Sequence, residues 1–145
     1  MLWERKKTDR PPTKRAGTLR SLVLALCANA CAPCDLTSSI PDFDPDCSQA
    51  VARQYETETR VVLPAEERSL VIYLPGDVEI GTRYGGTTGN PVTFLLGSEL
   101  AIGAGSTITL DTLNEGFVAG SLLVQFDSGD LEGSFSGVVS PPESR

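Results

Sequence analysis

Histidine is absent from the 145 residues of this chain. That removes the commonest general base and the commonest metal ligand, and it argues against most hydrolytic triads and zinc sites. Lysine is absent after Lys14, so no serine of the body has an amine as a substitute base. For the same reason Gly85-Gly86 and Gly103-Ala104-Gly105 do not read as phosphate loops, which need a lysine and a following helix. No apolar run reaches the roughly 20 residues that a bilayer-spanning helix requires. Beyond residue 34 no stretch has a sustained helical period, and Ser48 to Gln54 has room for two turns at most. Tryptophan occurs once, at Trp3.

Positive charge is scarce outside the N-terminal head. Arg5, Lys6, Lys7, Arg10, Lys14, Arg15 and Arg20 stand there against Glu4 and Asp9, so the rest of the chain is more acidic than the overall net charge of −7. An acidic body repels phosphate backbones, which argues against a nucleic-acid partner. The basic head is followed by Ser21 to Ala32, SLVLALCANACA, an apolar run of signal-peptide length. Ala28-Asn29-Ala30 is a small-x-small cleavage pattern with Cys31 directly after it. These residues resemble the lipobox of bacterial lipoproteins, in which the cysteine is lipidated and becomes the new N-terminus. The family favours an aliphatic residue three places before the cysteine, where this chain has Ala28. Leu24-Ala25-Leu26-Cys27 is a competing match, with bulky Leu26 beside the cysteine. The resemblance implies residues 1–30 as a signal peptide, Cys31 as the lipidation site and a lipid-anchored place in the cell envelope, with plain secretion as the alternative.

Lipidation of Cys31 leaves Cys34 and Cys47 as an even pair for one disulfide in an oxidising compartment. A rival reading starts from Cys27, Cys31 and Cys34, whose spacing resembles the iron–sulfur motif of radical-SAM enzymes. That family places the motif in a large α/β barrel, for which this chain is too short and too poor in helix. Asp42, Asp44 and Asp46 alternate like the opening of a calcium loop. The position needing glycine is Cys47 and the closing position is Arg53, so the expectation is a solvated acidic segment. Residues 31–53, with Pro41 and Pro45, read as an anchor and flexible linker.

From Gln54 the pattern turns to period two. Tyr55 to Leu63, Ser69 to Leu74, Val78 to Tyr84, Pro91 to Leu96, Ser98 to Ile102 and Ser106 to Asp111 read as strands. SLVIYL is nearly continuous in apolar character and suits a strand covered on both sides. Gly116 to Val139 reads as a hairpin through Asp127-Ser128-Gly129-Asp130, and it resembles the closing hairpin of bacterial exported β-domains. Of 14 glycines only Gly17 precedes Gly76. The expectation is an all-β domain over 54–139, an antiparallel sandwich of about seven or eight short strands, with a small closed barrel as the alternative and 140–145 as a disordered tail.

No catalytic, cofactor or metal residues are assigned. Glu66 with Glu67 and Asp127 with Asp130 are carboxylate pairs at expected turns, where acids are solvated. Tyr84, beside the glycine loop, is weighed as a sugar-stacking residue and read as core. The functional expectation is a non-enzymatic envelope lipoprotein with a structural or protein-interaction role, its partners being the membrane through its anchor and an envelope protein or glycan. The alternative is a module binding a sugar or an apolar molecule, and an enzyme comes third.

Overall fold

The computed structural model describes residues 34–141. The expected signal peptide, Cys31 and residues 142–145 of the expected tail lie outside the described residues. The C-terminal hairpin forms from β9 (Phe117–Phe126) and β10 (Gly129–Val139). Gly129 stands opposite Phe126 and Val138 opposite Phe117. Successive side chains on a strand point to opposite faces, so Val118, Leu122, Val124 and Phe126 are buried together with Leu131 and Phe135. On one side, β8 (Thr107–Leu113) pairs with β9, and a register shift after Leu110 bulges Asp111 towards solvent. Then β5 (Arg83–Gly85) pairs with β8 and forms one edge of the sheet.

The other side of β10 takes two partners in succession. β1 (Asp35–Ser38) runs antiparallel to its first half, with Asp35 opposite Ser134. β2 (Ala50–Gln54) runs parallel to its end, with Ala50 opposite Gly137. Between them the Ser136 N–H donates to the Cys47 carbonyl at 2.8 Å. The Cys34–Cys47 disulfide, Cα to Cα 5.7 Å, staples this point of exchange. The close approach demands glycine: a Cβ at Gly133 (φ +137°) would strike the Asp35 carbonyl oxygen, and one at Gly137 the Ala50 backbone.

Beyond β2 follow β3 (Glu58–Pro64), β4 (Ser69–Pro75), β6 (Thr93–Leu96) and β7 (Glu99–Leu100), each antiparallel to its neighbour. The hydrogen-bonded order is β5-β8-β9-β10-β2-β3-β4-β6-β7, with β1 attached to β10. The sheet curls strongly into a half-barrel around a single apolar core.

The segment from Glu99 to Ser106 spans the two ends of the curl. The Ile102 N–H donates to the Gln125 carbonyl at 2.7 Å. Ser106, 1 % exposed, donates its hydroxyl to the Ile102 carbonyl and accepts from the Gln125 N–H at 2.9 Å. Glu99 receives the Ser128 N–H and hydroxyl from the β9–β10 turn. A short 3-10 turn, Gly103–Gly105, carries the chain across.

All-β architecture is as the sequence led us to expect, and four details differ. Among the described residues there are ten strands in one continuous curled sheet, whereas the expectation was seven or eight in two layers. One pair, β2 with β10, is parallel. The expected linker over 31–53 is instead part of the sheet from Asp35, and its Ile40 and Phe43 are buried. Strands this short, broken by Pro41 and Pro45, show no period of their own; they form because β10 offers an unpaired edge and the disulfide closes the loop. The expected strand over Val78 to Tyr84 shrinks to Arg83–Gly85, leaving Ile80 exposed.

Candidate functional site

The residues singled out by sequence fall in three places. Cys34 and Cys47 form the disulfide described above. Asp42, Asp44 and Asp46 are all exposed. Asp46 is engaged locally, its Oδ1 accepting the Ser48 hydroxyl at 2.7 Å and the Ser48 N–H at 2.9 Å. These bonds favour the charged form and hold its pKa below the ordinary aspartate value, the hydroxyl contributing most. Tyr84 is 5 % exposed, and its hydroxyl accepts the Glu79 N–H at 2.9 Å, so it belongs to the core.

Glu66 and Glu67, at the β3–β4 turn, face the loop after β1 across an open cleft of about 540 Å³. Asp42 and Asp44 line its other wall, over the buried side chains of Ile40 and Phe43. The sequence separates these acids by more than twenty positions, so their proximity was not legible from spacing. Among the described residues, no three acids or cysteines converge as a metal site would require.

The sheet's outer face is more informative. Register places Phe117, Val138, Val51, Val62, Val71, Leu95 and Leu100 in one continuous cross-strand row. Seven neighbouring strands each contribute one apolar side chain, over about 29 Å at the usual strand spacing of about 4.8 Å. The middle of the row is half-buried, while Val138 is 53 % and Leu100 64 % exposed. Beside it runs a second row, Arg53, Arg60, Tyr73 and Thr93. The Arg60 guanidinium lies 4.8 Å from the Tyr55 ring centre and 5.4 Å from that of Tyr73, and it pairs with Glu58. Donating to the Glu58 carboxylate raises its pKa, so it is charged throughout the working range. Arg53 stands directly opposite Arg60, a like-charge pairing that costs stability, and its buried Nε has no hydrogen-bond partner among the described residues. The sequence signal for these rows was the run of apolar residues at both parities in RVVL and SLVIYL.

The other half of the outer face has a different chemistry. On β8, β9 and β10 its outward side chains include Thr107, Thr109, Ser121, Ser134 and Ser136. The exterior is thus divided between an apolar, aromatic and cationic sector and a hydroxyl-rich sector. Comparison with protein-family models, with characterised proteins and with solved structures finds no match to this chain.

Proposed function

We propose that this protein is a non-enzymatic, exported interaction module, held at the cell envelope by a lipid on Cys31. The outward apolar row from Phe117 to Leu100 carries this reading. Exposed strand faces of a lone domain are ordinarily polar, and a continuous apolar line in which Val138 and Leu100 stand exposed suits a protein partner. Tyr55, Tyr73 and Arg60 beside it are residue types that dominate binding at interfaces. The disulfide supports an oxidising compartment. Within this reading the two arms of the curled sheet act as the layers of an open sandwich, and the acidic body keeps nucleic acid away.

The alternative, an internal ligand site, has less support. The hollow between β5 and the β6–β7 edge, lined by Gly85, Val92, Phe94, Leu100 and Ala101 among others, holds about 240 Å³. That is below the roughly 300 Å³ at which small-molecule pockets begin.

Two measurements test the proposal. Intact mass of the protein from its host is expected to begin at an acylated Cys31; an unprocessed Met1 overturns the compartment. A photo-cross-linking residue at Leu95 of the full chain is expected to give one discrete adduct, lost on Val62→Lys with Tm unchanged. A diffuse adduct pattern, or no adduct, overturns the interaction face.

A further inference from the structure

The hydroxyl-rich sector is shaped as well as polar. Register sets Arg83, Thr109, Ser121, Ser134 and Asp35 side by side in one row across β5, β8, β9, β10 and β1. The next row along the strands brings Thr107, Leu123 and Glu132 into line. Together these residues bound a shallow trough of about 580 Å³ on the outside of the half-barrel. Its lining mixes Gly133 and small hydroxyl residues with the longer Arg83, Leu123 and Glu132.

We propose that this trough binds an uncharged, extended glycan strand lying across the β-strands. Three observations favour that ligand class. The hydroxyls of Thr109, Ser121 and Ser134 recur at the strand spacing of about 4.8 Å, a repeat comparable to that of the rings in an extended sugar chain. Each hydroxyl both donates and accepts, as sugar hydroxyls do. The ends of the row differ in sign, Arg83 at one and Asp35 with Glu132 at the other, and none of the three makes an ion pair among the described residues. A guanidinium fork and a carboxylate each match a vicinal pair of sugar hydroxyls, the first as donor and the second as acceptor. The carboxylates disfavour a polyanionic strand. A protein partner would need large anchors in pockets, and here the floor offers hydroxyls.

The geometry defines the extent of the site. From Arg83 to Asp35 is four strand intervals, about 19 Å, which accommodates a short run of rings. The Ser134 hydroxyl is already oriented, accepting the Asp35 N–H at 3.2 Å. Asn90 steadies the Arg83 end by donating its side-chain amide to the Arg83 carbonyl at 2.9 Å. The site shares β9 and β10 with the start of the apolar row but lies four residues further along each strand, at Ser121 and Ser134, and it stands independently of the partner proposed for that row.

The test is a titration of the full chain, in a detergent without a sugar headgroup, with cellohexaose and with chitohexaose, followed by amide NMR. Shifts confined to Thr107, Thr109, Ser121 and Ser134 and their neighbours are expected with at least one of the two. Ser121→Lys, which fills the middle of the trough, is expected to weaken binding at least tenfold. Thr109→Val removes one hydroxyl without adding bulk and is expected to weaken it several-fold, which keeps the test decisive if the lysine variant does not fold. Val71→Lys, on the apolar row, is expected to leave the titration unchanged while it abolishes the Leu95 adduct. No shift with either oligosaccharide, shifts elsewhere on the molecule, or undiminished binding in Ser121→Lys or Thr109→Val would overturn the proposal.

Discussion

Thr59 is the one fully buried residue whose hydroxyl has no hydrogen-bond partner among the described residues. Its side chain points inward from β3, on the same face as Val61 and Leu63. A buried, unpaired hydroxyl carries its desolvation cost without return. Thr59→Val is therefore expected to stabilise the fold by about 1 kcal/mol in urea unfolding; a loss of stability would show that a partner had been removed. Asp46 acts at the same scale with the opposite sign. Its folded-state pKa is lowered from 3.8 by the Ser48 bonds. Its contribution is complete above the unfolded value and is lost as pH falls through the lower folded value. Wild type is thus expected to lose more stability below about pH 3.8 than Asp46→Asn does, read as the difference in Tm between the two proteins across an acid titration.

At the scale of elements, β10 is the strand on which the fold depends. It is paired along one side with β9 and shared along the other by β1 and β2. Those two short strands are held in place by the disulfide, which spans a sequence separation of 13. Closing a loop of that size restricts the unfolded chain by roughly 3 kcal/mol. Replacing both Cys34 and Cys47 by serine is expected to lower unfolding free energy by about that amount. Hydrogen exchange should then rise first in β1 and at Ser136, whose amide donates to Cys47. Uniform exchange throughout the domain would show instead that the staple stabilises the molecule globally. A cysteine pair was legible in the sequence by parity; that its loop was sheet and not tether was not, because neither flanking strand has enough residues to show a period.

Across the whole molecule, the bridge from Glu99 to Ser106 ties the β6–β7 end of the sheet to β9 and the β9–β10 turn. Ser106 bonds the half-buried Gln125 N–H and the Ile102 carbonyl at once. Ser106→Ala leaves the Gln125 N–H without this acceptor, while the Ile102 carbonyl keeps the Gly105 N–H; it is expected to cost about 1 to 3 kcal/mol, with faster amide exchange in β5 and β7, the two sheet edges. If β5 and β7 keep their protection while stability falls, the bridge holds only its own segment. The outer face belongs to this scale too. Neither the apolar row nor the hydroxyl trough exists on any single strand, since each is assembled one residue per strand by register. Alternation along RVVL or TITL told us which residues share a face; it could not tell which strand would lie beside which.

What the sequence determined by itself was local: period-two alternation gave the strands their two faces, glycine and proline marked the breaks, and the lack of histidine and of distal lysine narrowed the available chemistry. These are properties of near neighbours along the chain, and they act before any tertiary contact forms. Tertiary structure decided everything that joins distant residues. It set β1 and β2 in succession on one edge of β10, gathered Glu66 and Glu67 opposite Asp42 and Asp44, and divided the exterior into two sectors. The physical reason is that a strand's hydrogen-bonding edge is nearly indifferent to the identity of its neighbour. Pairing is chosen by the joint burial of all the inner faces, a property of the assembled sheet and of no one segment.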